Sequence, residues 1–260
     1  MNEIGRKRVA RVIFTENDVE SVLKKLKKFI NSRVSYESTK WAFDYVDFVK
    51  SYERAIKFLI DVALTTGQPR SKNMALDKIL LMLKSEDLTE DYLKELIVPL
   101  KEILIENNDE WVSLRALQIY NKLTTDSELI ISKAVELTKR KHISEGVKEE
   151  AFWLLKNNEI SMEEIEKEFL ATNDSSAKFW FAYLLYSKGE LKFRTYLDNL
   201  FNRNDLNEGQ IRFWNEQALK HSFPEIEIPQ HEKELQDLNI KVSSVIFQEQ
   251  LYSTEQLYKR

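Results

Sequence analysis

The chain contains no cysteine. Disulfides, thiolate metal ligands and cysteine nucleophiles are therefore excluded, although the compartment is not set by that absence alone. Glycine and proline are scarce, at 5 and 4 of 260 residues. Sheets, tight turns and phosphate-cradling loops draw on glycine, so this shortage favours helices joined by short polar corners. The glycines stand apart at 5, 67, 146, 189 and 209. No G-x-G-x-x-G, G-x-x-x-x-G-K or G-x-S-x-G occurs, which removes the dinucleotide fingerprint, the Walker loop and the serine-nucleophile elbow. Long apolar runs are missing too. Val12-Ile13-Phe14 ends at once in T-E-N-D, too short for a signal-peptide core, and no run approaches the ~18 apolar residues of a membrane span. A soluble, cytoplasmic protein without membrane insertion is expected.

Histidine is nearly as scarce, with His142, His221 and His231 only. None lies at helical spacing from another, and H-E-x-x-H is absent. His142 follows Lys139-Arg140-Lys141 at an expected helix end, where cations complement the carbonyl dipole. Glu163, Glu164, Glu166 and Glu168 crowd one short helix and read as a first turn and a solvated face. No metal site, cofactor or catalytic residue is expected, and the chain is read as non-enzymatic.

What is present is apolar residues, 43% of the chain, and charge, 32%. Residues 1–50 carry 11 Lys+Arg against 7 Asp+Glu, whereas residues 51–260 carry 28 against 36. A globally basic nucleic-acid binder is disfavoured, but a nucleic-acid contact through the basic N-terminal region stays open. Within it, V-L-K-K-L-K-K-F-I sets Lys24, Lys25, Lys27 and Lys28 against a clean apolar face. Such a helix is either the wet-sided first member of a stack or a surface for phosphates or anionic membranes.

Three segments are expected. Residues 1–15 form a basic arm, 16–222 a helical array, and 223–260 a C-terminal capping tail. R-V-A-R-V-I-F and I-K-V-S-S-V-I-F read as short β or extended segments at the two ends, and a short helix fits 230–239. The array begins with a helix from Asn17 or Asp18, then a long helical stretch over 38–64 in which Ser51 marks a break, then a helix over 72–85. Hairpins follow, pairing 90–106 with 109–123, 126–140 with 144–157, 161–172 with 174–187 and 190–202 with 207–220. Capping residues Asp126, Ser127, Ser144, Ser161, Asp174, Ser175 and Asn207 stand at the corners.

The hairpin recurs at steps of roughly 30–36 residues. Its clearest copy has Leu93, Leu96, Leu100 and Leu104 on the first helix and Pro99 within it. Asn107-Asn108-Asp109 forms the elbow, and Val112, Ala116, Ile119, Tyr120 and Leu123 lie on the second helix. This segment resembles a HEAT repeat, the armadillo-like helical hairpin. The family has Arg just after that Val, where this chain has Ser113, with Arg115 nearby. Looser copies are Val147-Lys148 with Ala151, Leu154 and Leu155, then Ala177-Lys178-Phe179-Trp180, then Ile211-Arg212-Phe213-Trp214. The resemblance implies an all-α fold, a right-handed α-solenoid of about four to five hairpins. Ala116 and Ala151 are small where helix axes approach closely.

By that resemblance the second helices line a concave face. Arg115, Lys148, Lys178 and Arg212 are then expected to form a basic ladder facing a groove, with Trp180 and Trp214 as aromatic anchors. Adjacent Phe and Trp at 152–153, 179–180 and 213–214 point about 100° apart on a helix, so one ring of each pair is expected at an edge or a partner, unless both fill gaps between repeats. The expected function is a non-catalytic scaffold, adaptor or regulator binding a protein partner. The alternative is a HEAT-like DNA-binding protein or an enzyme resembling the HEAT-like alkylpurine DNA glycosylases, with Trp111, Trp180 and Asp174 near a target nucleotide.

Overall fold

The computed structural model describes residues 19–32, 36–49, 51–84 and 88–219. The basic arm, the capping tail, His221, His231 and the β or extended segments expected at the two ends lie outside the described residues, as does the side chain of Trp41. The chain divides into two units, 1–213 and 214–260; of the second, only 214–219 are described.

The described residues are all-α, with no strand among them. Helices run as α1 (Val19–Asn31), α2 (Tyr36–Asp44), a 3₁₀ turn (Tyr45–Phe48), α3 (Tyr52–Thr65), α4 (Pro69–Met82), α5 (Glu90–Glu95), α6 (Ile97–Glu106) and α7 (Glu110–Leu123). They continue as α8 (Ser127–Lys139), α9 (Glu145–Asn157), α10 (Met162–Ala171), α11 (Ser175–Ser187), α12 (Lys192–Asn202) and α13 (Glu208–Leu219).

Most starts are set by a short polar side chain that takes up free amides of the first turn. Asp109 accepts from the Trp111 and Val112 amides at 3.1 and 3.0 Å. Ser161 accepts from Glu164 at 3.2 Å and Asp174 from Ala177 at 2.8 Å. Asn207 and Gln210 cap reciprocally, each side-chain oxygen accepting the other's amide at 3.0 and 3.3 Å, the capping-box arrangement. Ser144, like Gln68, Leu96 and Leu191, departs from this. Its side chain makes no cap bond, and its own amide instead donates to the Glu110 carboxylate at 3.3 Å.

Two expected helices are broken. The stretch 38–64 splits at the 3₁₀ turn, and α3 restarts where Ser51 accepts from the Arg54 amide. The stretch 90–106 breaks at Leu96, whose amide bonds Leu93 one residue short of the α pattern. Pro99 is the cause: it offers no amide to the Glu95 carbonyl, and its ring crowds that carbonyl. The end of α11 is equally local. Gly189 has φ +102°, a conformation that costs a side chain. There the Gly189 and Glu190 amides close on the Tyr186 and Leu185 carbonyls at 2.9 and 3.1 Å, the Schellman pattern.

The helices pair as antiparallel hairpins, α3 with α4, α6 with α7, α8 with α9 and α10 with α11. The second members then pack in series, α4 on α7, α7 on α9, α9 on α11. Polar contacts between neighbours fall at the sequence repeat. Gln118 donates to Glu150, 32 residues on, and Arg140 to the Asn108 carbonyl, 32 back. Asn158 donates to Asn121 at a separation of 37 and Trp180 to Glu145 at 35. Each hairpin thus leans on the next, and the packing repeats along the chain.

The second members are buried almost all round. In α7, Val112, Leu114, Ala116, Leu117, Ile119 and Tyr120 are all buried, because α4, α6, α8 and α9 surround it. Ala116 is fully buried on that helix. Ala116→Leu is therefore expected to lower stability by about 1–3 kcal/mol through overpacking. Urea denaturation checks this, and an unchanged midpoint contradicts it.

Candidate functional site

The expected basic ladder does not form a groove. Val147 and Lys148 are both interior, and the Lys148 side chain is only 3% exposed. Its ammonium donates to Asp174 at 2.9 Å. Burial of a charge is tolerable only with such a partner, and Asp174 is also the cap of α11. Arg115 is half-buried, 2.7 Å from Asp77 and hydrogen-bonded to Gln118 at 2.7 Å, with Trp111 at 5.7 Å from its guanidinium. Lys178 is half-buried over the Phe169 ring at 5.7 Å. Arg212 is exposed and reaches Glu149 at 3.6 Å. Of the four cations, Lys148 faces inward, Arg115 and Arg212 meet carboxylates, and Lys178 sits against a ring.

The expected anchors are corrected as well. Trp180 is buried at 1% exposure, its indole N–H donating to Glu145 at 3.0 Å. Trp214 is buried too. Both rings of the 179–180 pair are interior because α11 packs against α8, α9, α10 and α12. No solvent face is left for the second ring. Only the 152–153 pair divides as expected: Phe152 is buried, while Trp153 is half-buried with the Lys156 ammonium 5.0 Å from its ring. Phe152, Trp180, Tyr183 and Phe213 form one cluster, with ring centroids 4.8–5.6 Å apart and mostly edge-on. Burial pushes the Tyr183 hydroxyl up to about 12. Aromatic geometry of this kind adds about 0.5–1.5 kcal/mol per pair beyond area. The tryptophans are core, and Trp180 and Asp174, two of the three residues of the glycosylase-like reading, are occupied within the stack.

A second capping aspartate repeats the pattern of Asp174. Asp126 accepts from the Leu129 amide at 3.3 Å, the Tyr120 hydroxyl at 2.9 Å and the Lys101 ammonium at 3.1 Å. The Tyr120 bond first, then Lys101, holds its carboxyl below the ordinary value. Burial pushes Asp174 up, but the Ala177 amide and Lys148 outweigh it, so it too lies low. Asp77 goes the other way, raised by burial despite Arg115.

Two surfaces among the described residues bear on binding. The first is a groove of about 650 Å³ between α1 and α3. Lys24 and Lys27 stand on one wall and Arg54 and Lys57 on the other, with Glu20 and Asp61 also lining it. Each cation pair is three residues apart and so shares a helix face. Lys27 bonds Asp61 at 2.5 Å. Lys24, Arg54 and Lys57 make no ion pair with a described carboxylate. Sequence reasoning found the lysines of α1 but missed Arg54 and Lys57, since no local pattern tells that α3 lies beside α1. The second surface is on α6, where Val98 and Ile105 are 72% and 70% exposed.

Among the described residues no group of three or more metal-binding side chains occurs, and no helix is long and apolar enough to cross a membrane. Comparison with models of protein families, with curated proteins and with solved structures found no match.

Two outcomes follow for the buried pair. Lys148→Ala is expected to cost about 1–3 kcal/mol, because it takes the ammonium partner from the half-buried Asp174 and removes a side chain packed in the interior; equilibrium unfolding reads this, and a loss no larger than that of Lys178→Ala contradicts it. Asp174 has a depressed native pKa, so the stability it lends is fully present above about pH 4 and is lost as pH falls through that native value. Asp174→Asn, which keeps a capping oxygen, is expected to flatten the acid limb of a stability–pH curve; superimposable limbs contradict it.

Proposed function

We propose that the chain is a non-catalytic scaffold, a right-handed α-solenoid of about four to five HEAT-like hairpins, that docks a protein partner on its exposed outer surface. Support for the solenoid comes from the serial packing of α4, α7, α9 and α11 and from polar contacts one repeat apart. Units that bury their apolar sides only against neighbours make an extended rigid surface.

The observation that carries the docking reading is Val98 with Ile105. They are seven residues apart, two turns along α6, and hence on one face. Leu100, Ile103 and Leu104 of the same helix are buried, so the stack takes its contacts from the opposite side and leaves these two aliphatics outside. On α10, Leu170 is exposed to a similar degree. Apolar side chains carried on a rigid helix bind at little entropic cost.

The test is affinity capture from the native host with wild type and with Val98→Asp/Ile105→Asp. Recovery of the partner is expected to fall by about tenfold or more, the size of an interface hot spot, with the thermal midpoint unchanged. Equal recovery removes this face from the account.

A further inference from the structure

The α1/α3 groove points to a second activity, independent of the α6 surface. We propose that it holds the sugar–phosphate backbone of a single-stranded nucleic acid. The argument begins with charge. The protein carries a net −4, yet four cations, Lys24, Lys27, Arg54 and Lys57, line one groove against two carboxylates, Glu20 and Asp61, and of the four Lys27 alone is ion-paired to a described carboxylate. Like charges held together cost stability unless an anion joins them.

Size selects the strand. About 650 Å³ is the volume of sites that enclose small organic molecules. A single strand is flexible enough to lay consecutive phosphates along a furrow of that size between two helices, whereas a rigid duplex meets it only from outside.

The walls select phosphate over an acidic protein segment. Protein interfaces draw their affinity from buried aromatic and apolar anchors. Here the apolar residues beneath the cations, Leu23 and Phe58, are only 5% and 7% exposed, so little of either is accessible to an anchoring side chain. Phosphate contact needs no such pocket, since release of counterions supplies the binding. The hydroxyl of Ser21, also on the groove, adds a donor of the kind that positions phosphates.

Arginine, lysine and serine reaching only the backbone give binding with little base preference. Three unpaired cations, at about 0.7 counterions each for a single strand, give a slope of log K against log salt near −2 from the groove alone.

The experiment is fluorescence anisotropy of a labelled oligothymidylate with the full chain, titrated at several salt concentrations. Lys24→Gln/Arg54→Gln/Lys57→Gln is compared with wild type and with a control at the exposed Lys122, Lys122→Gln. All three substituted side chains of the triple variant are on the surface, and circular dichroism verifies that it is folded. The result expected is salt-dependent binding by wild type and control, weakened about tenfold or more in the triple variant, with its slope shallower by about 2. Each single substitution should give a part of that loss. Three results overturn the proposal: no binding by wild type at low salt, binding equal in the triple variant, or displacement by poly-glutamate with equal binding of that peptide, which makes the occupant an acidic protein segment. None of these bears on Val98 and Ile105, so capture through α6 stands or falls separately.

Discussion

Burial of the second helix of each hairpin on several sides is the constraint on which the rest of the structure depends. A two-helix unit has one apolar seam within itself and another that only a neighbour can cover. In α7 and α11 both are covered. Phe179, Trp180, Phe181, Ala182, Tyr183, Leu184, Leu185 and Tyr186 are buried in succession, which an amphipathic surface helix never shows. The first members take the solvent instead, as the exposed Val98, Ile105 and Leu170 record.

Within so apolar a stack the corners carry the polar information. Asp126 and Asp174 each cap the helix that follows and each receive an ammonium from another helix, Lys101 and Lys148. One carboxylate thus sets where a helix starts and how it sits against a neighbouring hairpin. Glu145 caps nothing but ties α9 to α11 in the same way with uncharged donors, accepting from the Ser176 hydroxyl at 2.6 Å and the Trp180 indole at 3.0 Å. These contacts add little affinity between helices compared with the apolar core, but a slip by one turn would leave them unpaired, Lys148 in the interior.

Local chemistry made the helices legible and distance hid the rest. Asp109, Asp126, Ser161, Asp174 and Asn207 mark their helix starts in the sequence because capping is a contact of two or three residues. Ser51 marks a break for the same reason, whereas 90–106 reads as one helix with Pro99 inside it and is in fact divided at Leu96. The side chains assigned to a concave face were not legible. Lys148 and Lys178 stand at matching positions, but only Lys148 meets Asp174, a partner 26 residues away. The 100° rule for adjacent Phe and Trp failed at 179–180 because it supposes one covered face, and α11 is enclosed by α8, α9, α10 and α12. The α1/α3 groove escaped for the converse reason, its cations being divided between helices some 30 residues apart.

Two unlike surfaces, apolar on α6 and cationic between α1 and α3, lie on one body whose interior is committed to stacking. The most direct measurement of that account is native-state hydrogen exchange resolved by helix. Amides of α7, α9 and α11 are expected to exchange only through global unfolding, whereas those of α10 and α12 open locally at lower free energy. Exchange of α11 as fast as that of α10 would contradict the stacked interior.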